Sequence, residues 1–418
     1  MRKLQDPINI DDDYQRLHVL GAQWNMSDVN FNFEVCTTYP QTLVLPDCLN
    51  SEDIVAGATQ RSKGRLPVLV WLHPQSNVPL CRCAQPQVTL SAMPEHDRKV
   101  LVSIKNACPS GFPLRIADAR PRLNAQANAM QGKGYENISF LGGPSMASLQ
   151  FLDIDNIHVM RNSISKLREN STAASTNNTA NDGTAASSMH TGQDNITSSK
   201  WLYHVSNVLR GSIGVAESLQ IGHPVVVHCS DGWDRTAQLC ALAQLLLDPY
   251  YRTIDGLLLL IKKEWCTFGH KFEDRLGSTN SKESSPVFLQ FLDCIYQLCL
   301  QFPTDFAYST HFLAVLCHAT YSGYFTTFKE NNEMERYRFL RNVFMLERLN
   351  PDDLEFSSIF CYMKILLHSN VSAALTNPHY APPDSTNADI KYLRPRYLVS
   401  DLQLWREGLF GMNHPNFK

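Results

Sequence analysis

The segment that most restricts the fold runs from Val225 to Thr236 and reads VVVHCSDGWDRT. Pro224 to His228 is a short apolar run without polar alternation, as expected of a strand buried on both faces. It ends in Cys229; five residues then precede Arg235, and a helical pattern follows at once. Leu239, Leu242, Ala243, Leu246 and Leu247 recur at helical spacing, which predicts one apolar face. Five residues between strand and helix can curl so that successive backbone N–H groups converge on one anion. The positive end of the helix adds to that field. The same field favours a thiolate at Cys229, a nucleophile at neutral pH. Arg235 offers a planar fork that matches two phosphoryl oxygens, and Gly232 permits positive φ in the turn. Thr236 or Ser230 is placed to hydrogen-bond the sulfur. Asp234 and Asp231 both qualify for proton exchange with a leaving group and with water; spacing does not choose between them. A lone Cys-x5-Arg is a weak signal, and the valine run before it, the glycine within it and the helix after it carry the weight.

The remaining pattern predicts an α/β domain with a central, mostly parallel sheet flanked by helices. Leu66–Leu72 and Val100–Ile104 read as strands, and Leu149–Val159 as a strand with a turn. Trp201–Leu219 reads as a helix, and Phe288, Phe291, Leu292 and Ile295 mark another. Residues 170–199 are almost all Ser, Thr, Asn, Ala and Gly, which predicts a disordered insert within one domain. The stretch from Asn377 to Leu393 is Pro- and Asn-rich and reads as irregular. Cys81 and Cys83 read as two thiols in a strand rather than metal ligands, and Tyr321–Phe328 as core. His228 is expected to pack against the loop or hydrogen-bond it.

Lys and Arg number 37 against 40 Asp and Glu, a balance that argues against coating nucleic acid. No apolar run is long enough to span a bilayer, and Met1–Asp13 lacks a signal core. The 12 scattered cysteines then read as reduced thiols in a cytoplasmic protein.

The string His228–Thr236 resembles the active-site signature of the myotubularin family of phosphoinositide 3-phosphatases. Further blocks agree in order: Cys36–Pro40, Arg61–Arg65, Arg82–Pro86, Ala119–Asn124, Asn156–Arg161 and Phe268–Phe272. The resemblance covers roughly residues 30 to 345 and, more loosely, reaches about 410. It implies a cysteine-dependent phosphatase fold with a strand–phosphate loop–helix active site. It makes Cys229 the nucleophile, Arg235 the phosphate-binding arginine and Asp234 the general acid. Ser230, Asp231, Gly232 and Trp233 would complete the loop around the 3-phosphate. Asn128, Asn156 and Ile157 match positions at the inositol headgroup, and Lys271 and Arg275 match basic positions that hold a second phosphate. Those two are four residues apart, so on a helix they would share a face.

Enzymes of this family remove the 3-phosphate from phosphatidylinositol 3-phosphate and phosphatidylinositol 3,5-bisphosphate through a phosphocysteine, with no metal or other cofactor. The implied partner is a phosphoinositide headgroup at a membrane surface, which places the protein in the cytoplasm and peripherally on endosomal membranes. A myotubularin-type partner subunit is a further expectation. Residues 31–410 are read as the catalytic domain and 411–418 as a tail. Residues 1–30 are an N-terminal segment too short for the family's lipid-binding domain of the GRAM type. Ser278 stands where the family has a histidine. A dual-specificity protein phosphatase and a catalytically silent adaptor are the competing readings. The second is disfavoured because Cys229, Asp234 and Arg235 are all present.

Overall fold

Val225, Val226 and Val227 sit in the middle of a five-stranded sheet, buried on both faces as their unbroken apolar run requires. The computed structural model describes residues 8–21, 23–87, 95–129, 132–176, 198–277, 282–347, 358–383 and 392–411. Helix α1 (Ile10–Arg16) leads into a two-stranded antiparallel ribbon, β1 (Trp24–Ser27) and β2 (Leu43–Pro46). Helix α2 (Ser51–Thr59) starts at a capping box in which Asn50 and Asp53 satisfy each other's backbone amides. The central sheet then forms from β3 (Val68–Leu72), β4 (Pro79–Ala84), β5 (Leu114–Asp118), β6 (Ala147–Phe151) and β7 (Val225–Cys229). Their order is β3-β4-β7-β5-β6, with β3 antiparallel to β4 and the remaining pairs parallel.

Helices α3 (Glu95–Asn106), α4 (Arg122–Ala129), α5 (Ile157–Thr176) and α6 (Trp201–Ile221) connect these strands. The return helix α7 (Arg235–Leu247) packs on α6. Beyond it lie α8 (Ile254–Ile261), which continues into a π-helical segment, Lys262–Thr267, then α9 (Phe272–Leu276), α10 (Val287–Gln301), α11 (Thr310–Tyr321) and α12 (Glu333–Glu347). The buried apolar side chains form one continuous core that reaches from Tyr14 to Leu409. The 12 cysteines are free thiols. No helix among the described residues is long and apolar enough to cross a membrane.

The register Ala84↔Cys229 and Asp118↔His228 brings the carboxyl ends of three parallel strands to one edge. Ligand sites in open α/β sheets form at such edges.

Five local expectations are corrected. Val100–Ile104 is helical, in α3: Val100, Leu101 and Ile104 bury one face of that helix, a periodicity that a five-residue window cannot separate from a strand. Residues 170–176 of the polar insert continue α5, and residues 177–197 lie outside the described residues. Of Leu149–Val159, the strand covers only the first residues, and α5 begins at Ile157. Helix α7 is buried on every side from Thr236 to Leu247, so its leucines do not mark a single face. The segment Tyr321–Phe328 is divided: Tyr321 and Phe328 are buried, whereas Tyr324 is 81% exposed.

Candidate active site

Cys229 is the last residue of β7 and is buried. Residues 230–234 turn, and α7 begins at Arg235 with Asp234 before it. Among the described residues, no acceptor takes a hydrogen bond from the backbone amides of Ser230 through Arg235. Six consecutive N–H groups at a helix N-terminus therefore remain available to an anion. Burial by itself would raise the Cys229 pKa, but it is lowered overall. The Arg235 charge and hydrogen bonds from the hydroxyl and amide of Thr236 outweigh the desolvation. The buried Thr236 hydroxyl has no oxygen or nitrogen partner, which leaves it to the sulfur.

The turn is held from outside its amides. Gly232 has φ 74°. A β-carbon there would lie 2.5 Å from the Cys83 carbonyl oxygen. The carbonyl of Gly232 accepts from two buried arginines, Arg65 at 3.1 Å and Arg82 at 2.7 Å. The Ser230 carbonyl accepts from the Gln85 amide at 3.0 Å, and the Asp231 carboxylate from the Ser62 hydroxyl at 2.6 Å. Arg235 donates to the Ile154 carbonyl at 3.0 Å and lies 3.5 Å from the Ser230 hydroxyl. The bend after β6 thus sets the direction of its fork. Gly232→Ala is expected to distort the turn, since the left-handed conformation alone costs an alanine about 1–2 kcal/mol. Turnover should then fall much more than the melting temperature does. Equal activity at equal stability would show that the turn tolerates a β-carbon.

Beneath the turn lies a buried ionic group. Arg61 forks onto Asp97 at 2.6 and 2.8 Å and also donates to Glu136 at 2.7 Å. His228 lies 3.0 Å from Glu136, and Arg120 pairs with Asp118 at 2.7 Å. Burial disfavours a charged His228, yet Glu136 and Asp118 raise its pKa overall. Arg61, Arg120 and the favoured imidazolium form of His228 face Asp97, Asp118 and Glu136. Removing one member strands a buried charge, at about 3–5 kcal/mol. His228 thus packs below the loop, as expected, and also hydrogen-bonds the Cys229 carbonyl at 3.2 Å.

The two acids differ in setting. Asp234 is buried, which would raise its pKa, but the Arg275 guanidinium grips both oxygens at 2.9 and 3.0 Å. With His270 also 3.2 Å away, the carboxyl is held well below the usual range and is ionised. Asp231 is half-buried and has only the Ser62 hydroxyl against it among the described residues. Lys271 stands just ahead of α9 rather than within it, so it shares no helical face with Arg275. It pairs with Asp274 at 2.6 Å and lies 4.7 Å from the Trp233 ring centroid.

Asn156 caps α5, its side chain accepting from the amides of His158 and Val159 at 3.0 and 3.2 Å. The Ile157 carbonyl accepts from the Ser285 hydroxyl at 2.9 Å. Asn128 is half-buried near the end of α4, which follows β5 at the same sheet edge. The geometry therefore brings Cys229, Ser230, Asp231, Gly232, Trp233, Asp234 and Arg235 into one turn, with Arg275 and Lys271 in contact with it. Sequence reasoning missed the roles of Arg65, Arg82, Arg120, Glu136 and His270 around this turn. Arg82 carried a signal, being a lone charge in the apolar strand PLCRCA, where a buried partner is required.

Comparison with known proteins agrees with this architecture. The myotubularin-like phosphatase domain matches residues 2–337. Phosphatidylinositol-3,5-bisphosphate 3-phosphatase MTMR6 of Homo sapiens is 41% identical over 332 residues, covering 79% of this chain and 51% of the relative. The MTMR2 enzyme of Bos taurus, which carries the same descriptive name, is 41% identical over 349 residues, covering 80% and 50%. Myotubularin of Xenopus laevis is 42% identical over 330 residues, covering 78% and 52%. The chain spans about half the length of these relatives. With the myotubularin-like phosphatase domain matched across residues 2–337, the chain belongs to the myotubularin-like phosphatase family.

Proposed function

We propose that the chain hydrolyses the 3-phosphate of phosphatidylinositol 3-phosphate and phosphatidylinositol 3,5-bisphosphate through a phosphocysteine. One observation carries the reading: six uncommitted amides and Arg235 follow a cysteine whose thiolate Arg235 and Thr236 favour. The Cys229 thiolate attacks phosphorus, and the sulfur–phosphorus bond forms as the bond to the inositol oxygen breaks. That oxygen leaves with a proton from an acid. Water then attacks phosphorus, gives its proton to a carboxylate, and the thiolate departs.

Asp234, ionised against Arg275, is ready to activate the water. To protonate the leaving oxygen it must first release Arg275 and take up a proton from solvent, and a second phosphate near Lys271 and Arg275 would draw that guanidinium away. Asn128, Asn156 and Ile157 are assigned to the headgroup on the strength of their place at the same sheet edge. The names of the relatives support a lipid rather than a phosphoprotein substrate. A lipid substrate puts the reaction at a membrane surface, and we assign the cytoplasmic face of endosomes.

The test is phosphate release from purified protein across the singly and doubly phosphorylated inositol lipids and a phosphotyrosine peptide. Preference for the peptide would overturn the lipid assignment, and no release from any substrate would favour an adaptor. Lys271→Ala is expected to raise KM for the bisphosphate about tenfold, within the range for a charged hydrogen bond, and to leave the monophosphate nearly unchanged. An equal loss on both would remove Lys271 from the second-phosphate role.

A further inference from the structure

The Gly232 carbonyl is the meeting point of two buried guanidinium groups. Arg65 reaches it from anchors on the Thr38 carbonyl and hydroxyl, at 3.0 and 2.8 Å, and on the Phe268 carbonyl at 2.8 Å. Arg82 reaches it from the Glu264 carbonyl and carboxylate, both at 2.7 Å. The two arginines are fully buried. They differ in charge balance. Arg82 has Glu264, whereas among the described residues no carboxylate pairs with Arg65. Its other neighbours include the Tyr39 ring, 4.3 Å from the guanidinium carbon, and the Cys36 and Cys229 sulfurs, whose negative forms favour its charge. A buried cation without a counter-ion is unfavourable, and its placement under a turn that must hold negative charge offsets that disadvantage.

A trans peptide points its C=O and N–H in opposite directions, and the described residues contain no cis peptide bond. Pinning the Gly232 carbonyl on the arginine side therefore turns the Trp233 N–H to the other side. Without the pins this peptide is free to flip by counter-rotation about ψ of Gly232 and φ of Trp233, and glycine, lacking a β-carbon, restrains that ψ least. A flip would present a carbonyl oxygen where an anion needs a donor. Charged donors on the carbonyl also polarise the peptide and strengthen its N–H as a donor.

We infer that Arg65 and Arg82 are positioning residues that lock the Gly232–Trp233 peptide with its N–H toward the phosphoryl group, Arg65 also serving as a counter-charge to the Cys229 thiolate. The inference rests on the reading of residues 229–235 as an anion-binding turn.

The experiment uses the full chain with Arg65→Met, Arg65→Lys and the charge-balanced pair Arg82→Met with Glu264→Gln. Three quantities are read: tungstate affinity by calorimetry, the pH profile of Cys229 alkylation by iodoacetamide, and the melting temperature. Arg65→Met is expected to weaken tungstate at least about tenfold, as loss of a preorganised oxyanion donor does, and to move the alkylation profile to higher pH. Arg65→Lys, which keeps the charge but cannot span Thr38 and Gly232 together, should restore the profile while leaving tungstate weak. The Arg82 pair should weaken tungstate likewise. A folded variant of Arg65 or Arg82 with wild-type affinity and an unmoved profile overturns the inference. If instead the wild-type protein binds no tungstate and Cys229 alkylates as an ordinary thiol, the anion-binding turn itself is wrong.

Discussion

Cys229→Ser abolishes phosphate release, with kcat falling by roughly 10⁴-fold or more, the range seen when a nucleophile is removed. The reason is ionisation. Arg235 and Thr236 lower the pKa of the thiol and so favour the thiolate, whereas a serine hydroxyl starts too weakly acidic for the same field to ionise it. Binding should survive, because the six amides and the Arg235 fork are untouched by the exchange. Replacing a negative sulfur by a neutral hydroxyl also removes repulsion against the phosphoryl oxygens, so tungstate should bind as tightly or more so. Single-turnover assays and calorimetry on the same preparation check both halves. Residual turnover above about 1% of wild type would mean that a group other than sulfur attacks phosphorus, since 1% exceeds what nucleophile loss leaves.

Arg235→Lys separates charge from geometry. Lysine keeps the positive charge beside Cys229, so the alkylation profile should stay close to that of the wild type. It cannot hold the Ile154 carbonyl and present two parallel N–H groups to phosphate at once. Loss of that fork should lower kcat by about 10²–10³-fold, the range for a donor that stabilises transition-state charge. A shifted thiol profile with little loss of kcat would reverse the assignment: Arg235 would then tune the sulfur and not the transferred group.

The turn was legible in the sequence because its chemistry is local. Strand, cysteine, glycine, arginine and helix are contiguous, and their order dictates the curl. What supports the turn was not legible, because it comes from distant parts of the chain. Arg65 and Arg82 lie about 150 residues or more from Gly232, and nothing in single-chain spacing reports such contacts. Lys263 and Glu264, two charges directly after an apolar helix, carry no local signal of burial, and the π-helical segment turns both into the core. The Val100–Ile104 reading failed for the opposite reason: five apolar-rich residues fit either period, and packing on α2 decided for the helix. The second basic group was half legible. Lys271 and Arg275 do lie at the turn, but not on a shared helical face: Lys271 lies over the Trp233 ring and Arg275 grips Asp234.

A relay of buried polar groups runs from α1 to the turn. Asp13 bonds Lys263 at 2.5 Å and Lys263 bonds Gln244 at 2.8 Å. Gln244 bonds Glu264 at 2.6 Å, and Glu264 holds Arg82. Trimming the chain past residue 17 would remove Asp13 and leave the buried Lys263 ammonium without its carboxylate, held only by the Val70 carbonyl, the Gln244 side chain and the Tyr251 hydroxyl. Damage at the amino end would strand a buried charge and lower stability, and it would reach the turn only through Gln244, Glu264 and Arg82, which makes the first helix a remote brace for the far end of the relay.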